Sequence, residues 1–114
     1  MIQLPLHIDY SDKVVVVTGA GGLICSAMVR AFARSGAKVA ALDLNEAVTG
    51  LAAELTDAGF ICKGYKADVL DGALLETVHR QVLSDLGPCD ILLNGAGGNN
   101  PRATTDNEYQ HEAR

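Results

Sequence analysis

The sequence predicts an α/β protein with a doubly wound parallel sheet, and three observations support this. Short apolar runs rich in Val, Ala, Leu and Ile recur along the chain as far as Asn94. Segments of helical periodicity separate these runs. The 114 residues are 48% hydrophobic but only 4% aromatic, which is typical of the aliphatic core of a parallel sheet covered by helices. A chain of this length forms one domain at most.

The first strand is predicted at Lys13–Thr18, where four consecutive valines indicate burial on both faces. A glycine-rich turn follows, and an apolar-periodic helix begins directly after it. We expect Gly36 to end this helix as a left-handed cap. The apolar residues of the helix are predicted to form one stripe, consisting of Leu23, Ile24, Ala27, Met28, Ala31 and Phe32.

The second strand is predicted at Lys38–Leu44. Asn45 is the expected cap of the helix that follows, and Gly59 is its expected end. The third strand is predicted at Phe60–Ala67. The apolar positions expected to face inward from the second helix are Val48, Leu51, Ala52 and Leu55.

A third helix is expected to begin after Asp71 as its cap and to close at Gly87-Pro88, before a fourth strand at Cys89–Asn94. Helical segments of about 10 to 15 residues between strands predict right-handed parallel crossovers. With a nucleotide-type turn after the first strand, the expected strand order is 3-2-1-4. The inward positions of the third helix are predicted to be Leu75, Val78, Val82 and Leu86.

The composition narrows the possible functions. The net charge is −5 and the Lys and Arg residues are scattered, so nucleic-acid binding and membrane-surface binding have little support. No apolar stretch reaches the length of a membrane span, and the N-terminus lacks the features of a signal peptide. We therefore expect a cytoplasmic protein. Residues 1–98 are predicted to form a partial nucleotide-binding domain, and the polar residues 99–114 to be poorly ordered on their own.

The cysteines and histidines predict no metal site. Cys25, Cys62 and Cys89 lie far apart and are odd in number, which argues against a disulfide framework. The three histidines are equally dispersed, and no spacing is typical of metal ligands. The cysteines are expected to be small buried hydrophobic residues in a reducing compartment.

Four motifs lie at the predicted carboxyl ends of the four strands, where open parallel sheets bind ligands. Each has a structural alternative on its own: glycine in a tight turn, aspartate as a helix cap, or Asn-Gly as a loop. Their order along the chain favours a dinucleotide site, with the acid after the second strand placed to accept hydrogen bonds from a ribose. In order, the motifs are Thr18-Gly19-Ala20-Gly21-Gly22, Asp43-Leu44, Asp68-Val69 and Asn94-Gly95-Ala96-Gly97.

Over about residues 10–100, these motifs resemble the short-chain dehydrogenase/reductase family. The resemblance implies a Rossmann-type fold, truncated after its fourth strand, and a nicotinamide cofactor. It also implies that Asp43 selects the cofactor and that Asp68-Val69 contacts adenine. The first motif matches a Thr-Gly-x-x-x-Gly-x-Gly phosphate turn and the last an Asn-Asn-Ala-Gly segment. By the same resemblance, the cofactor-binding residues are Thr18, Gly19, Gly21, Gly22, Leu23, Ile24, Asp43, Leu44, Asp68, Val69, Asn94, Gly95, Ala96 and Gly97.

The chain departs from the family pattern at three positions. Leu23 and Cys25 stand where the phosphate turn has its second and third glycines, and Gly95 stands where the last motif has asparagine. Since cysteine is larger than glycine, a small local shift is expected between the first helix and the strand beside it. Three segments, Gly19–Ala27, Leu42–Asn45 and Asn94–Pro101, resemble the branch that includes D-mannonate oxidoreductase (fructuronate reductase). This resemblance implies D-mannonate and D-fructuronate as the substrate pair.

The catalytic set of the resembled family does not occur in this sequence. That set consists of a Ser and a Tyr-x-x-x-Lys pair, in which tyrosine gives or takes the proton. Tyr10, Tyr65 and Tyr109 are each followed four residues later by Val or Ala. No catalytic residue is therefore assigned, and this chain alone is expected to be inactive.

The predicted function is NAD-dependent interconversion of a secondary alcohol and a ketone. NAD is preferred to NADP because a phosphate beside Asp43 would place two like charges together. A sugar acid or polyol-like alcohol is the expected substrate. A homo-oligomer is expected because Ile91–Leu93 would lie on an edge strand. A nucleotide-binding module or truncated stub without catalysis is the alternative, and an oligomerising structural fragment is a third.

Overall fold

A computed structural model describes residues 8–95 of the chain. Strands and helices alternate as predicted, and each strand is one or two residues shorter than the sequence suggested. The predictions for Ala96, Gly97 and residues 99–114 lie outside the described residues, as does the domain boundary at residue 98. The elements are β1 (Val14–Thr18), α1 (Leu23–Arg34), β2 (Lys38–Asp43), α2 (Ala47–Asp57), β3 (Ile61–Lys66), α3 (Gly72–Asp85) and β4 (Ile91–Asn94).

The four strands form one parallel sheet in the order β3-β2-β1-β4, which confirms the predicted topology. Thr18 at the end of β1 pairs with Leu42 on one side and with Asn94 on the other. On the far side of β2, Asp43 pairs with Lys66. This register brings the carboxyl ends of all four strands to one edge of the sheet.

The alternating side chains of the strands build two apolar layers, one on each face of the sheet. Val15 and Val17 of β1 pack in one layer with Val29 of α1 and Leu55 of α2. Val14 on the opposite face belongs to a second layer, which α3 covers. The helices therefore lie on both faces, as expected for a doubly wound sheet. The α3 side chains of the second layer include Val78 and Val82.

Apart from Phe32, which packs against the first apolar layer, the predicted apolar stripe of α1 does not face the sheet, so this part of the sequence interpretation was wrong. The buried residues of α1 are Val29 and Ala33, whereas Leu23 and Ile24 are 90% and 77% exposed. Both faces of the helix carry apolar residues, so periodicity alone could not identify the inner one. The face that packs on the sheet has small or β-branched side chains. Of the remaining predicted stripe, Ala27, Met28 and Ala31 are exposed and Phe32 is half-buried.

Of the five predicted helix boundaries, those at Gly36, Gly59, Asp71 and Gly87 are confirmed, and the one at Asn45 is adjusted. The Asp71 carboxylate accepts a hydrogen bond from the Leu74 amide at 3.1 Å and caps α3. Gly36 follows α1 with a φ of +95°. At α2, however, the N-cap position is Glu46, whose side chain makes no cap hydrogen bond. The Asn45 side chain instead accepts from the Ala47 amide at 2.9 Å, so asparagine still satisfies the first helical N–H group.

Side-chain hydrogen bonds hold β4 at both ends of its pairing with β1. At the start, the Asp90 carboxylate accepts from the Val14 amide at 2.9 Å, while the Asp90 amide donates to the Val14 carbonyl at 2.9 Å. At the end, the Thr18 hydroxyl donates to Asn94 Oδ1 at 2.8 Å and accepts from the Gly95 amide at 3.1 Å. The four-residue strand is therefore fixed in register at its first and last residues.

The cysteines occupy three different environments. Cys62 is buried, as expected for a small hydrophobic residue, and burial raises the pKa of its thiol from 9.0 to about 11. Cys25 is only partly buried, and Cys89 is exposed. The expectation of burial was therefore wrong for Cys89, which lies in the connection between α3 and β4 outside both apolar layers.

Candidate functional site

Backbone hydrogen bonds join the predicted site segments along the carboxyl edge of the sheet. The Ala20 amide donates to the Leu42 carbonyl at 3.0 Å, which ties the glycine turn to the end of β2. The Asp43 carbonyl accepts from the Ala67 amide at 2.9 Å, which ties β2 to the segment after β3. Together with the Thr18–Asn94 contact, these bonds align the ends of all four strands.

The turn between β1 and α1 presents backbone N–H groups at the start of a helix. Gly19 has a φ of +67°, a conformation that residues with a β-carbon rarely adopt, so the sharp turn requires glycine there. Gly22 is the N-cap of α1, without a side-chain cap and with no acidic residue in the first turn. No side chain of α1 itself therefore neutralises the positive end of the helix dipole, an arrangement that favours a bound anion. Exposed Leu23 and Ile24 flank this terminus.

The Asp43 carboxylate lies against the glycine turn. Its Oδ2 atom accepts from the Gly21 amide at 2.7 Å, and Oδ1 accepts from the Asn45 amide at 2.9 Å. A β-carbon on Gly21 would lie 2.8 Å from Asp43 Oδ2, so the close approach requires glycine. Asp43 is not the cap of α2, because Glu46 holds that position. Leu44 beside it is exposed.

Sequence reasoning missed a cation beside Asp43. No Lys or Arg adjoins Asp43 along the chain, but the parallel register pairs it with Lys66 on β3. The Lys66 ammonium group lies 3.6 Å from a Glu46 carboxylate oxygen. This lysine is therefore engaged by an acid from the next helix. Only the register of β2 and β3 could have revealed the neighbour.

Asp68 and Val69 follow β3 at the same edge. The Asp68 carboxylate accepts from the Leu70 amide at 2.9 Å, which closes a short turn and leaves Val69 exposed. Val69 borders a cavity of about 380 Å³ that extends beneath α3 and reaches Thr18 and Asn94. Its lining includes apolar side chains from both the sheet and α3, so the cavity could accept a flat apolar group. These lining side chains include Val16, Leu42, Val78 and Val82.

Gly95 lies in close contact with the first turn of α1. A β-carbon built on Gly95 would overlap the Sγ atom of Cys25 and would lie 3.0 Å from the Thr18 carbonyl oxygen. Sequence reasoning treated Cys25 and Gly95 as separate departures from a family pattern. The structure brings them into contact, although they lie too far apart in the sequence for any periodic pattern to predict it.

The described tyrosines do not form a catalytic site. Tyr10 packs edge-on against Phe32, with ring centroids 5.3 Å apart. The Tyr65 hydroxyl donates to Asp85 at 2.7 Å on the face beneath α3. Burial, and after it the hydrogen bond to Asp85, raises the pKa of Tyr65, which opposes a role in proton transfer. Within residues 8–95, no group of three or more His, Cys, Asp or Glu side chains could hold a metal ion.

None of the three helices in the described part of the chain combines the length and apolar character needed to cross a bilayer.

Comparison with known proteins gives a consistent result. The family model described as short chain dehydrogenase matches residues 13–113. An "Uncharacterized oxidoreductase" of Haemophilus influenzae is 48% identical over 102 residues, which cover 89% of this chain and 36% of the relative. The chain thus spans little more than a third of that relative's length.

Solved structures show the same similarity. The crystal structure of a "putative D-Mannonate oxidoreductase" from Haemophilus influenza with bound NAD has a TM-score of 0.79 and 44% identity, covering 92% of this chain and 38% of that one. A metagenomic short-chain oxidoreductase in complex with NADP has a TM-score of 0.71 and 30% identity, covering 77% and 40%. One of these oxidoreductases therefore holds NAD and the other NADP. The chain belongs to the short-chain dehydrogenase/reductase family.

Proposed function

We propose that this chain binds NAD along the carboxyl edge of its sheet, as the cofactor-binding part of an oxidoreductase that interconverts a secondary alcohol and a ketone. The observation that carries the proposal is the contact between Asp43 and the glycine turn, at 2.7 Å from the Gly21 amide. This contact places a carboxylate beside a helix N-terminus that has no side-chain cap. The carboxylate matches the ribose of a dinucleotide, and the helix N-terminus matches its pyrophosphate.

Each segment has a proposed role. The amides of Leu23 and Ile24 in the first turn of α1 bind the pyrophosphate. Gly21 and Gly22, whose own amides donate to Asp43 and to the Gly19 carbonyl, let the phosphates approach the backbone closely. Asp43 accepts hydrogen bonds from the adenosine ribose, with Leu44 beside it. Thr18 and Gly19 shape the turn. The cofactor, when bound, supplies the hydride acceptor.

The adenine is proposed to lie at the mouth of the 380 Å³ cavity, between Val69 and Asn94. The apolar walls of the cavity suit a flat aromatic base, and Asp68 holds the turn that presents Val69. Gly95, together with Ala96 and Gly97 beyond the described residues, is proposed to continue the cofactor-binding edge. Residues 1–98 are proposed as the cofactor-binding domain, followed by a polar segment at 99–114.

A preference for NAD over NADP follows from the charge of Asp43. NADP carries a phosphate on the ribose hydroxyl that the carboxylate would otherwise bind, so two negative charges would lie side by side. Lys66, the register partner of Asp43 on β3, is paired with Glu46 at 3.6 Å. Hydrogen bonds to charged groups contribute about 1.5–3 kcal/mol, which corresponds to a preference of roughly tenfold to a hundredfold.

The test is calorimetric titration of NAD and NADP into the purified chain and into its Asp43→Ala variant. We expect the wild type to bind NAD more tightly, and the variant to lose most of that difference. A Lys66→Ala variant is the matched control, since it removes a charge at the paired register position without touching the ribose-binding group. Equal affinities for both cofactors in the wild type would contradict the role of Asp43.

A sugar acid, with D-mannonate and D-fructuronate as the specific pair, is the proposed substrate of the whole protein. The support is the similar NAD-bound crystal structure, 44% identical to this chain, of a protein named as a D-mannonate oxidoreductase. The second candidate, a nucleotide-binding module without catalysis, would use the same edge of the sheet to bind its ligand. Translating the gene beyond the codon for Arg114 separates them: an open frame that encodes the pair favours the enzyme, and a stop codon favours the module. We also propose that the protein is cytoplasmic and that it forms a homo-oligomer.

A further inference from the structure

Cys25 and Gly95 touch each other between two segments of the proposed cofactor site. Cys25 is the third residue of α1, in the turn of helix that carries the exposed amides. Gly95 follows β4 directly. The overlap of a β-carbon at position 95 with Cys25 Sγ shows that the thiol occupies the space a side chain there would need. The first turn of α1 therefore lies directly against the backbone that follows β4.

The same backbone is held from below by β1. The Gly95 amide donates to the Thr18 hydroxyl at 3.1 Å, and that hydroxyl donates to Asn94 at 2.8 Å. Gly95 thus lies between a hydrogen bond on one side and the Cys25 side chain on the other. Any side chain at position 95 must displace the Cys25 thiol, push α1 away or break the hydrogen bonds to Thr18.

The two contacting positions are also two of the three departures from the family pattern. Where that pattern has glycine, this chain has Cys25, and where it has asparagine, this chain has Gly95. In this chain, position 25 carries a side chain and position 95 carries none, and the thiol fills the space that a side chain at position 95 would need.

We propose that Cys25 and Gly95 are a matched steric pair that sets the spacing between the glycine turn and the segment after β4, with Cys25 as a positioning residue for the cofactor site. The steric pairing stands on the contact alone, whereas its effect on NAD rests on the proposed function. The pair allows position 95 to carry a β-carbon only when position 25 carries no γ atom.

A double-mutant cycle tests the pairing. In Gly95→Ala, we expect the unfolding equilibrium constant in urea to rise about tenfold to a hundredfold, the range typical of overpacking. Cys25→Ala in the same chain should reverse the part of this rise that the thiol causes, because the two β-carbons would then lie 3.7 Å apart and only the 3.0 Å approach to the Thr18 carbonyl oxygen would remain tight. Cys25→Ser should not reverse it, because serine keeps an atom at the γ position.

Gly50→Ala is the matched control, since an added β-carbon at Gly50 meets nothing within 4 Å. Combined with Cys25→Ala, it should show no coupling. If Gly95→Ala does not fold, recovery of folding by Cys25→Ala and not by Cys25→Ser still supports the pair. Additive effects, or equal rescue by alanine and serine, would overturn it.

NAD titration of the folded variants provides the positioning readout. We expect Gly95→Ala to weaken NAD binding about tenfold or more, and Cys25→Ala to restore it in the double variant. Unchanged NAD affinity in Gly95→Ala would overturn the positioning role. If the wild type binds no NAD, the proposed function fails, while the unfolding cycle still decides whether the steric pair exists.

Discussion

Replacing Gly21 by alanine tests the contact on which the proposed site depends. The new methyl group would lie 2.8 Å from Asp43 Oδ2 and 3.2 Å from its Cγ atom, so the carboxylate must move away. The displacement breaks the 2.7 Å hydrogen bond from the Gly21 amide. The variant therefore removes one interaction and repositions the proposed ribose-binding group at the same time.

Two opposing terms determine the expected stability change. A hydrogen bond to a charged group contributes about 1.5–3 kcal/mol, and the alanine offsets roughly 0.4–1 kcal/mol of this by reducing the freedom of the unfolded chain. We expect a net loss of about 1–2 kcal/mol in the free energy of unfolding, measured by urea denaturation. NAD affinity should fall about tenfold or more, because a ribose hydrogen bond to Asp43 is of the same class.

Gly50→Ala is the control for the substitution itself. Gly50 lies in the exposed part of α2 with open space around it, so alanine there should stabilise the chain by about 0.5–1 kcal/mol. Asp43→Ala removes the same hydrogen bond from the other side, and the double variant with Gly21→Ala should lose less than the sum of the two. Unchanged stability and NAD affinity in Gly21→Ala would refute the reasoning.

Three further outcomes are expected. The purified 114-residue chain should show no steady turnover of nicotinamide cofactor with D-mannonate or D-fructuronate, because loss of a positioned acid–base group alone costs about 10²–10⁴-fold; measurable turnover would contradict this. The chain should self-associate in light scattering through the edge strand β4, where Leu92 is 63% exposed, whereas a clean monomer at tens of micromolar would argue against it. Stability should fall as the pH rises from 9 towards 11, because burial raises the pKa of the Cys62 thiol in the folded chain from 9.0 to about 11. The stability that the neutral thiol contributes is complete below pH 9 and is lost as the pH rises through the pKa of the folded state. That loss is about 2–3 kcal/mol, and a Cys62→Ala variant should show a shallower decline with pH in urea denaturation.

The strand order was predictable because the signals are local and strong. The valine run of β1, the glycine turn after it and the alternation of strands with helices are each visible within short windows. A nucleotide-type turn after the first strand then restricts the topology to one familiar order. The structure has that order. The positions of Asp43 and Asn94 at one edge follow from it directly.

The inward face of α1 and the contacts of the site were not predictable in this way. Both faces of α1 are apolar, so the choice of Val29 over Met28 as the inner residue depends on how the helix fits the sheet. The Asp43–Lys66 neighbourhood depends on strand register. The contact of Cys25 with Gly95 joins residues that only the folded sheet brings together.

The anchoring of β4 at both ends has a consequence for local opening of the protein. A four-residue strand at a sheet edge would ordinarily exchange its amide hydrogens through fraying from either end. Here, fraying at the start must break the Val14–Asp90 bond, and fraying at the finish must break the bonds at Thr18. Deuterium uptake by β4 should therefore follow one cooperative opening event and not a gradient from the termini. The Asn94–Gly95 segment consequently keeps its place beside the glycine turn until the whole strand detaches.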